Sequence, residues 1–296
     1  MNLEQAVATL RAGGLVAFPT ETVYGLGADA SNPEAVLRIF EAKQRPPGRP
    51  ISILVSPSLD LHRYCHWTPQ AQALADRFWP GPLTLILPRT EAVPDVVTGG
   101  AQSVGLRMPD HAVALALLEA FGGGLATPSA NRSGGLSPTS ADHVREDLGE
   151  AVDVILDGGT CSLGVESTVL DLSQDPPAIL RMGALGAEAI AAVLGVEPSV
   201  TGQQAPHYRP RTKKRVCLPQ AILASPPGDE VGVLWRGALP PEAGPNWMAL
   251  PDEPAAYGRA FFASLRALDS AGYTELWLAD VPQTAAWAAV YERVHG

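Results

Sequence analysis

The sequence predicts an α/β fold: a larger domain around a mixed sheet over residues 1–200, a basic linker over 201–215, and a smaller α/β domain over 216–296. Three observations predict it. Apolar runs of strand length alternate with stretches of helix length. Helix starts are marked by Asn or Thr followed by Pro. The segment TGQQAPHYRPRTKKR at 201–215 breaks the alternation, because it carries five cations, no acid, and Pro206 and Pro210, which forbid a continuous helix.

Leu15–Phe18, Ile51–Val55, Leu83–Leu87, Val154–Leu156 and Thr168–Leu172 have strand length. Asn32-Pro33 opens a helix that runs toward Lys43, and Thr68-Pro69 opens one over Gln70–Phe78. Further helices are expected over His111–Phe121, from near Ser140, and over Ala187–Leu194, which Gly195 stops. Beyond the linker, Val231–Trp235 and Leu276–Leu278 read as strands. Pro254–Ala271 reads as a helix with Tyr257, Phe261, Leu265 and Leu268 on one face, and a last helix starts at Thr284.

The 296 residues include 21 Lys+Arg and 31 Asp+Glu, a net charge of −10. At 46% hydrophobic and 18% charged residues, the chain can bury a core. Its acidity opposes nonspecific nucleic-acid binding and attachment to an anionic membrane. The cations are placed selectively. Residues 1–200 hold 12 basic and 22 acidic residues, 201–215 hold 5 and 0, and 216–296 hold 4 and 9. Cys65, Cys161 and Cys217 are odd in number and far apart, which fits a reducing, cytoplasmic location. No signal peptide is expected, and the apolar run Ala112–Leu118 is too short to span a bilayer. The six histidines show no metal-ligand spacing, so no protein metal site is expected.

Five segments gather chemically useful residues. In Phe18–Asp29 (FPTETVYGLGAD) a strand ends in Pro19, two threonines, Glu21 and a Gly-Leu-Gly turn. Small hydroxyls beside glycines admit a ligand to the backbone, and a capped strand-to-helix loop looks the same. In Ala42–Pro50 (AKQRPPGRP) Lys43, Arg45 and Arg49 fall within seven residues on a proline-stiffened loop. Fixed cations suit a polyphosphate, the alternative being a solvated basic loop. Lys43 is also the only lysine in the first 212 residues. In Ser103–His111 a short strand delivers Arg107 at its end, either as a surface ion pair or as a carboxylate clamp. Thr127, Ser129, Asn131, Ser133 and Ser137 make a hydroxyl-rich loop that is either an anion-accepting nest or an ordinary turn. Ser167 and Thr168 begin one strand, and Arg181 ends the next. There is no GxxxxGK[ST] P-loop, no GxSxG and no HExxH.

Together these segments resemble the YrdC-like family. PTETVYGLGADA, IFEAKQRP, WPGPLTLIL, VGLRMPDH, ATPSANRSGGLSPTSADHV and ESTVLDL occur in the family's order over roughly residues 1–195. HYRPRT in the linker is similar to the HYAPRT of the longer threonylcarbamoyl-AMP synthases, and the tail resembles their C-terminal domain. The resemblance implies a YrdC-like domain with a twisted mixed sheet and an open groove, followed by a smaller Rossmann-like domain. It implies a nucleotidyltransferase that converts L-threonine, bicarbonate or CO2, and ATP with Mg2+ into threonylcarbamoyl-AMP and pyrophosphate. A separate tRNA threonylcarbamoyl transferase would use the product. By motif, Thr22, Arg107, Thr127 and Ser167 would bind L-threonine, with Arg107 on its carboxylate. Lys43, Arg45, Arg49, Ser103, Ser129, Asn131, Ser137, Arg181 and Tyr208 would bind ATP, Lys43 and Arg45 would be catalytic, and Tyr208 would fold over the site as a lid. The sequence departs from the family pattern at Arg49, where Asn is frequent, at Leu54, where a threonine-binding His is frequent, and at Thr201, where Pro is common before Gly202.

Two other readings compete. A carbamoyltransferase of the hydrogenase-maturation type shares the YrdC-like domain but carries acylphosphatase and CxxC zinc modules, and neither is visible here. A non-catalytic RNA-binding module is opposed by the acidic balance.

Overall fold

A computed structural model describes residues 2–201 and 208–296. Gly202, Pro206 and His207 of the linker lie outside the described residues. The first sheet holds β1 (Val16–Phe18), β2 (Gly25–Asp29), β3 (Ile53–Leu54), β4 (Leu83–Pro88), β5 (Ser103–Arg107), β6 (Leu125–Ala126), β7 (Val154–Ile155), β8 (Thr168–Asp171), β9 (Ala178–Arg181) and β10 (Ser199–Val200). Their order is β10-β9-β8-β4-β5-β3-β6-β2-β1-β7, with parallel and antiparallel pairs mixed. The second sheet, β11 (Lys213–Cys217), β12 (Val231–Arg236), β13 (Trp247–Leu250) and β14 (Glu275–Ala279), runs in the order β11-β14-β12-β13 and is wholly parallel.

The helix starts are where the cap residues place them. Asn32 accepts from the N–H groups of Glu34 and Ala35, Thr68 from Ala71, His111 from Val113, and Ser140 from His143. Helix Ala187–Leu194 ends at Gly195 in the left-handed conformation. Helix Pro254–Ser270 buries Tyr257, Phe261, Leu265 and Leu268. The last helix begins one turn later than expected, at Ala288, after a 3-10 turn over Ala285–Trp287.

The structure also differs from the sequence expectation at residues 25–27, 51–55 and 213–215. Gly25-Leu-Gly27 is not a turn but the start of β2, antiparallel to β1. Its glycines are there for space. A Cβ on Gly27 would lie 2.7 Å from the Phe18 ring, and one on Gly25 would lie 2.4 Å from the Thr127 methyl. Ile51–Val55 shrinks to Ile53–Leu54: Ile51 N donates to Val97 O, away from the ladder, and Val55 N to Arg107 O makes the last bond of the β3–β5 pairing. Lys213, Lys214 and Arg215, read as linker, form the edge strand β11. Their charge fits an edge, where Lys213 and Arg215 pair with Glu275 of β14.

The domains are docked, not merely tethered. Val23 and Leu136 of the first share one buried cluster with Tyr257, Phe261 and Phe262 of the second. Gly164, at φ +70°, lets the Pro254–Ser270 helix approach so closely that a Cβ would sit 2.6 Å from Arg259 Cα. Arg266 of that helix donates to Leu136 O and forks onto both carboxylate oxygens of Asp147. Among the described residues no helix is long and apolar enough to cross a membrane.

Replacing Arg266 with Ala removes the fork and leaves Asp147 poorly solvated. The expected cost is about 2 kcal/mol, between exposed and fully buried pairs. Equilibrium urea unfolding should show a lower midpoint, and an unchanged midpoint would mean that the pair is idle.

Candidate functional site

A cavity of about 500 Å³ opens between the β1–β2 connection, the loop after β6, the heads of β5 and β8, and the linker. Its Thr20, Thr22, Arg107 and Thr127 come from one side. Lys43, Arg45 and Arg49 come from the loop after helix Pro33–Lys43. Ser129, Asn131 and Ser137 come from the loop after β6, and Ser167, Arg181 and Tyr208 complete the wall. The residues assigned to substrates from sequence therefore all line the cavity except Ser103, while Glu21 and Thr168 lie just outside its lining. Ser103 sits at the far start of β5, opposite Pro88, one strand repeat beyond Gly105, which does line it.

On the hydroxyl side, Thr20 Oγ1 donates to Val23 O at 2.7 Å and lies 2.8 Å from Thr22 Oγ1. Arg107 donates through Nη2 to Thr22 Oγ1 at 2.9 Å and through Nε to Gly81 O at 3.2 Å. It also forms a buried ion pair with Glu21 at 2.7 Å. Its charge is thus already matched, so it differs from the lone clamp or the surface pair that sequence suggested. Thr84 and Ser167 hydroxyls lie 2.9 Å apart. Arg181 holds Ser167 by its carbonyl and by its hydroxyl, the latter at 3.0 Å.

The three clustered cations are not equivalent. Lys43 is buried, and its ammonium donates to Ser129 O at 2.5 Å and Asn131 O at 2.6 Å. Burial, and then Arg45, pull its pKa down from 10.5 to about 7, against a smaller opposing effect of Asp147. Arg45 donates to Pro50 O and lies over the Phe40 ring, and burial lowers its pKa too. Arg49 is exposed. Asn131 organises its loop, accepting from Ser129 Oγ and donating to Arg132 O and Gly135 O. The linker is tied to the same loop where Arg209 N donates to Gly134 O, and this brings Tyr208 to the cavity.

Among the described residues, Lys43, Arg45, Arg49 and Arg181 have no carboxylate within ion-pair reach, whereas the cavity acid Glu166, and Glu21 just outside the lining, each have an arginine. Four uncompensated cations beside a hydroxyl-lined pocket suit a polyanion next to a small polar molecule. Sequence reading missed Ser52, Thr84 and Glu166 in the lining. Glu166 had a signal, since it is an acid set directly before the paired hydroxyls of Ser167 and Thr168.

Comparisons with known proteins agree with the geometry. The family model described as "Telomere recombination" matches residues 8–183, and that of the threonylcarbamoyl-AMP synthase C-terminal domain matches 185–295. The threonylcarbamoyl-AMP synthase of Pyrococcus abyssi is 41% identical, over 98% of this chain and 92% of its own length. That of Bacillus subtilis is 44% identical, over 73% of this chain and 66% of its own. The crystal structure of P. abyssi Sua5 complexed with L-threonine superposes with a TM-score of 0.90 at 38% identity, covering 99% of this chain and 93% of the other.

A polyphosphate next to Lys43 favours the ammonium and raises its pKa. Burial has already lowered that pKa to about 7, so ATP binding at pH 8 should be accompanied by proton uptake. Calorimetry in buffers of different ionisation enthalpy should register this uptake, and Lys43→Met should abolish it. Binding without proton uptake would place the phosphates elsewhere.

Proposed function

We propose, because the chain belongs to the threonylcarbamoyl-AMP synthase family, that it joins L-threonine, bicarbonate or CO2, and ATP into threonylcarbamoyl-AMP with release of pyrophosphate. The observation that carries this reading is the set of four cations, none ion-paired among the described residues, that border a hydroxyl-lined pocket in one cavity. The threonine amine, once deprotonated, attacks CO2, and a carbamate forms as a proton leaves. A carbamate oxygen then attacks the α-phosphorus of ATP, the bond to the β-phosphate bridging oxygen breaks, and pyrophosphate departs. Nucleophile and electrophile are both anionic, so positioning and charge neutralisation dominate the barrier. Lys43, Arg45, Arg49 and Arg181 are the groups suited to that task.

Thr22, Thr127 and Ser167 supply hydroxyls for L-threonine, and its carboxylate meets Arg107 within an existing ion pair. Tyr208 stands at the cavity as a lid that keeps water from the adenylate. Mg2+ enters as part of the substrate, held by the phosphates of ATP. Among the described residues no group of three or more His, Cys, Asp or Glu is placed to hold an ion. The product is an activated acyl donor for a transferase acting on tRNA. Three free cysteines, two of them buried, support a cytoplasmic setting.

Pyrophosphate release should require both L-threonine and bicarbonate. ATP turnover indifferent to threonine would overturn this reading. A carbamoyltransferase or an RNA-binding module would show no such dual requirement. Lys43→Ala should slow turnover about 100-fold or more, as loss of a preorganised charge does, and near-normal turnover would remove Lys43 from the mechanism.

A further inference from the structure

Glu166 is an acid lining a cavity proposed to take a polyanion, and its counter-charge comes from the other domain. Arg293, on the last helix, is fully buried. Its Nε donates to Glu166 Oε2 at 2.8 Å, and its Nη1 donates to Met182 O and Ala289 O and faces Glu292. The other Glu166 oxygen accepts from Ser137 Oγ. The Arg293 guanidinium also lies 5.4 Å from the Tyr208 ring centroid, and that ring packs on Phe262. A serine that donates to an ionised carboxylate has no proton left for a ligand and presents only lone pairs. It then accepts from a hydroxyl or amino group, of the kind carried by a nucleoside, and cannot donate to a phosphate.

We propose that Arg293 is a positioning residue of the adenylate-forming site. By keeping Glu166 ionised, it fixes Ser137 as a hydrogen-bond acceptor toward the nucleoside part of ATP. The C-terminal domain thereby takes part in nucleotide recognition without touching the nucleotide. This inference rests on the adenylate-forming reading above.

The charged and titratable groups facing Glu166 are Arg293 and Glu292 on the last helix, Arg181 on β9 and Tyr208 on the linker, with Ser137 hydrogen-bonded to it. Burial pushes the carboxyl up, and Arg293, then Arg181 and the Ser137 hydroxyl, more than reverse this and hold it below its ordinary value. Without Arg293 the burial effect is opposed less, and the Glu166 carboxyl shifts upward toward its protonated form. The protonated acid then donates to Ser137, whose own proton swings into the cavity, and the acceptor becomes a donor.

The test is pyrophosphate release by the full chain between pH 6 and 9. Arg293→Met should raise KM for ATP about tenfold at pH 7, the size of one misdirected hydrogen bond. KM for L-threonine should stay near wild type. The ATP defect should shrink as pH rises through the raised Glu166 pKa, and Arg293→Lys should recover most of the affinity. A wild-type ATP KM in Arg293→Met, or a defect shared by both substrates at every pH, would overturn the proposal. Should that variant fail to fold, Ser137→Ala serves, because it removes the acceptor from a hydroxyl and not from the domain contact. An unchanged ATP KM there would also overturn it. A wild-type chain that binds ATP but releases no threonine-dependent pyrophosphate refutes the reaction reading instead, and ATP affinity of the variants by calorimetry still decides the role of Arg293.

Discussion

A buried ammonium with no carboxylate partner among the described residues holds this site together. Lys43 ends a helix on one side of the cavity, and its Nζ is bound to the backbone carbonyls of Ser129 and Asn131 on the other. The chain returns the contact, since Ser133 N donates to Lys43 O. The same loop is stitched to β2 through Tyr24 and Leu26, whose N–H groups donate to Pro138 O and Pro128 O. Helix end, loop and strand thus become one body, and its shape depends on a compact cation that fits between two carbonyls. The planar fork of arginine does not fit that geometry, which explains the single lysine among the twelve basic residues of 1–200.

Much of the fold was legible because its signals are local. Asn32, Thr68 and Ser140 each accept a hydrogen bond from the helix they open, and the burial of Tyr257, Phe261 and Leu265 follows their spacing. The errors came from residues whose reason lies elsewhere in the chain. Gly25 and Gly27 look like turn residues until Thr127 and Phe18 occupy the space their side chains would need. Lys213 and Arg215 look like linker until Glu275 is placed beside them. In the site, the motifs brought the named residues together, but their partners were hidden. Nothing near Arg107 in sequence shows that Glu21 has claimed it, and nothing near Glu166 points 127 residues ahead to Arg293.

The cavity sorts charge by partner. Glu166 in its wall and Glu21 beside it are each paired with an arginine, and among the described residues Lys43, Arg45, Arg49 and Arg181 form no ion pair. A buried pair contributes little net field and costs desolvation, but it sets hydroxyl directions, at Thr22 beside the first pair and at Ser137 beside the second. The uncompensated cations supply the attraction for a polyanion, and the pairs fix where its uncharged parts fit.

The contact between Arg293 and Glu166 also has a meaning for the ancestry of such chains. An ionised carboxylate at this depth is tolerable only while a cation from the second domain covers it. A catalytic domain that stands alone has no such cover, and a small or apolar side chain serves it better at that position. On this argument the two residues should be gained and lost together, and an acid just before the paired hydroxyls is expected where a companion domain covers it.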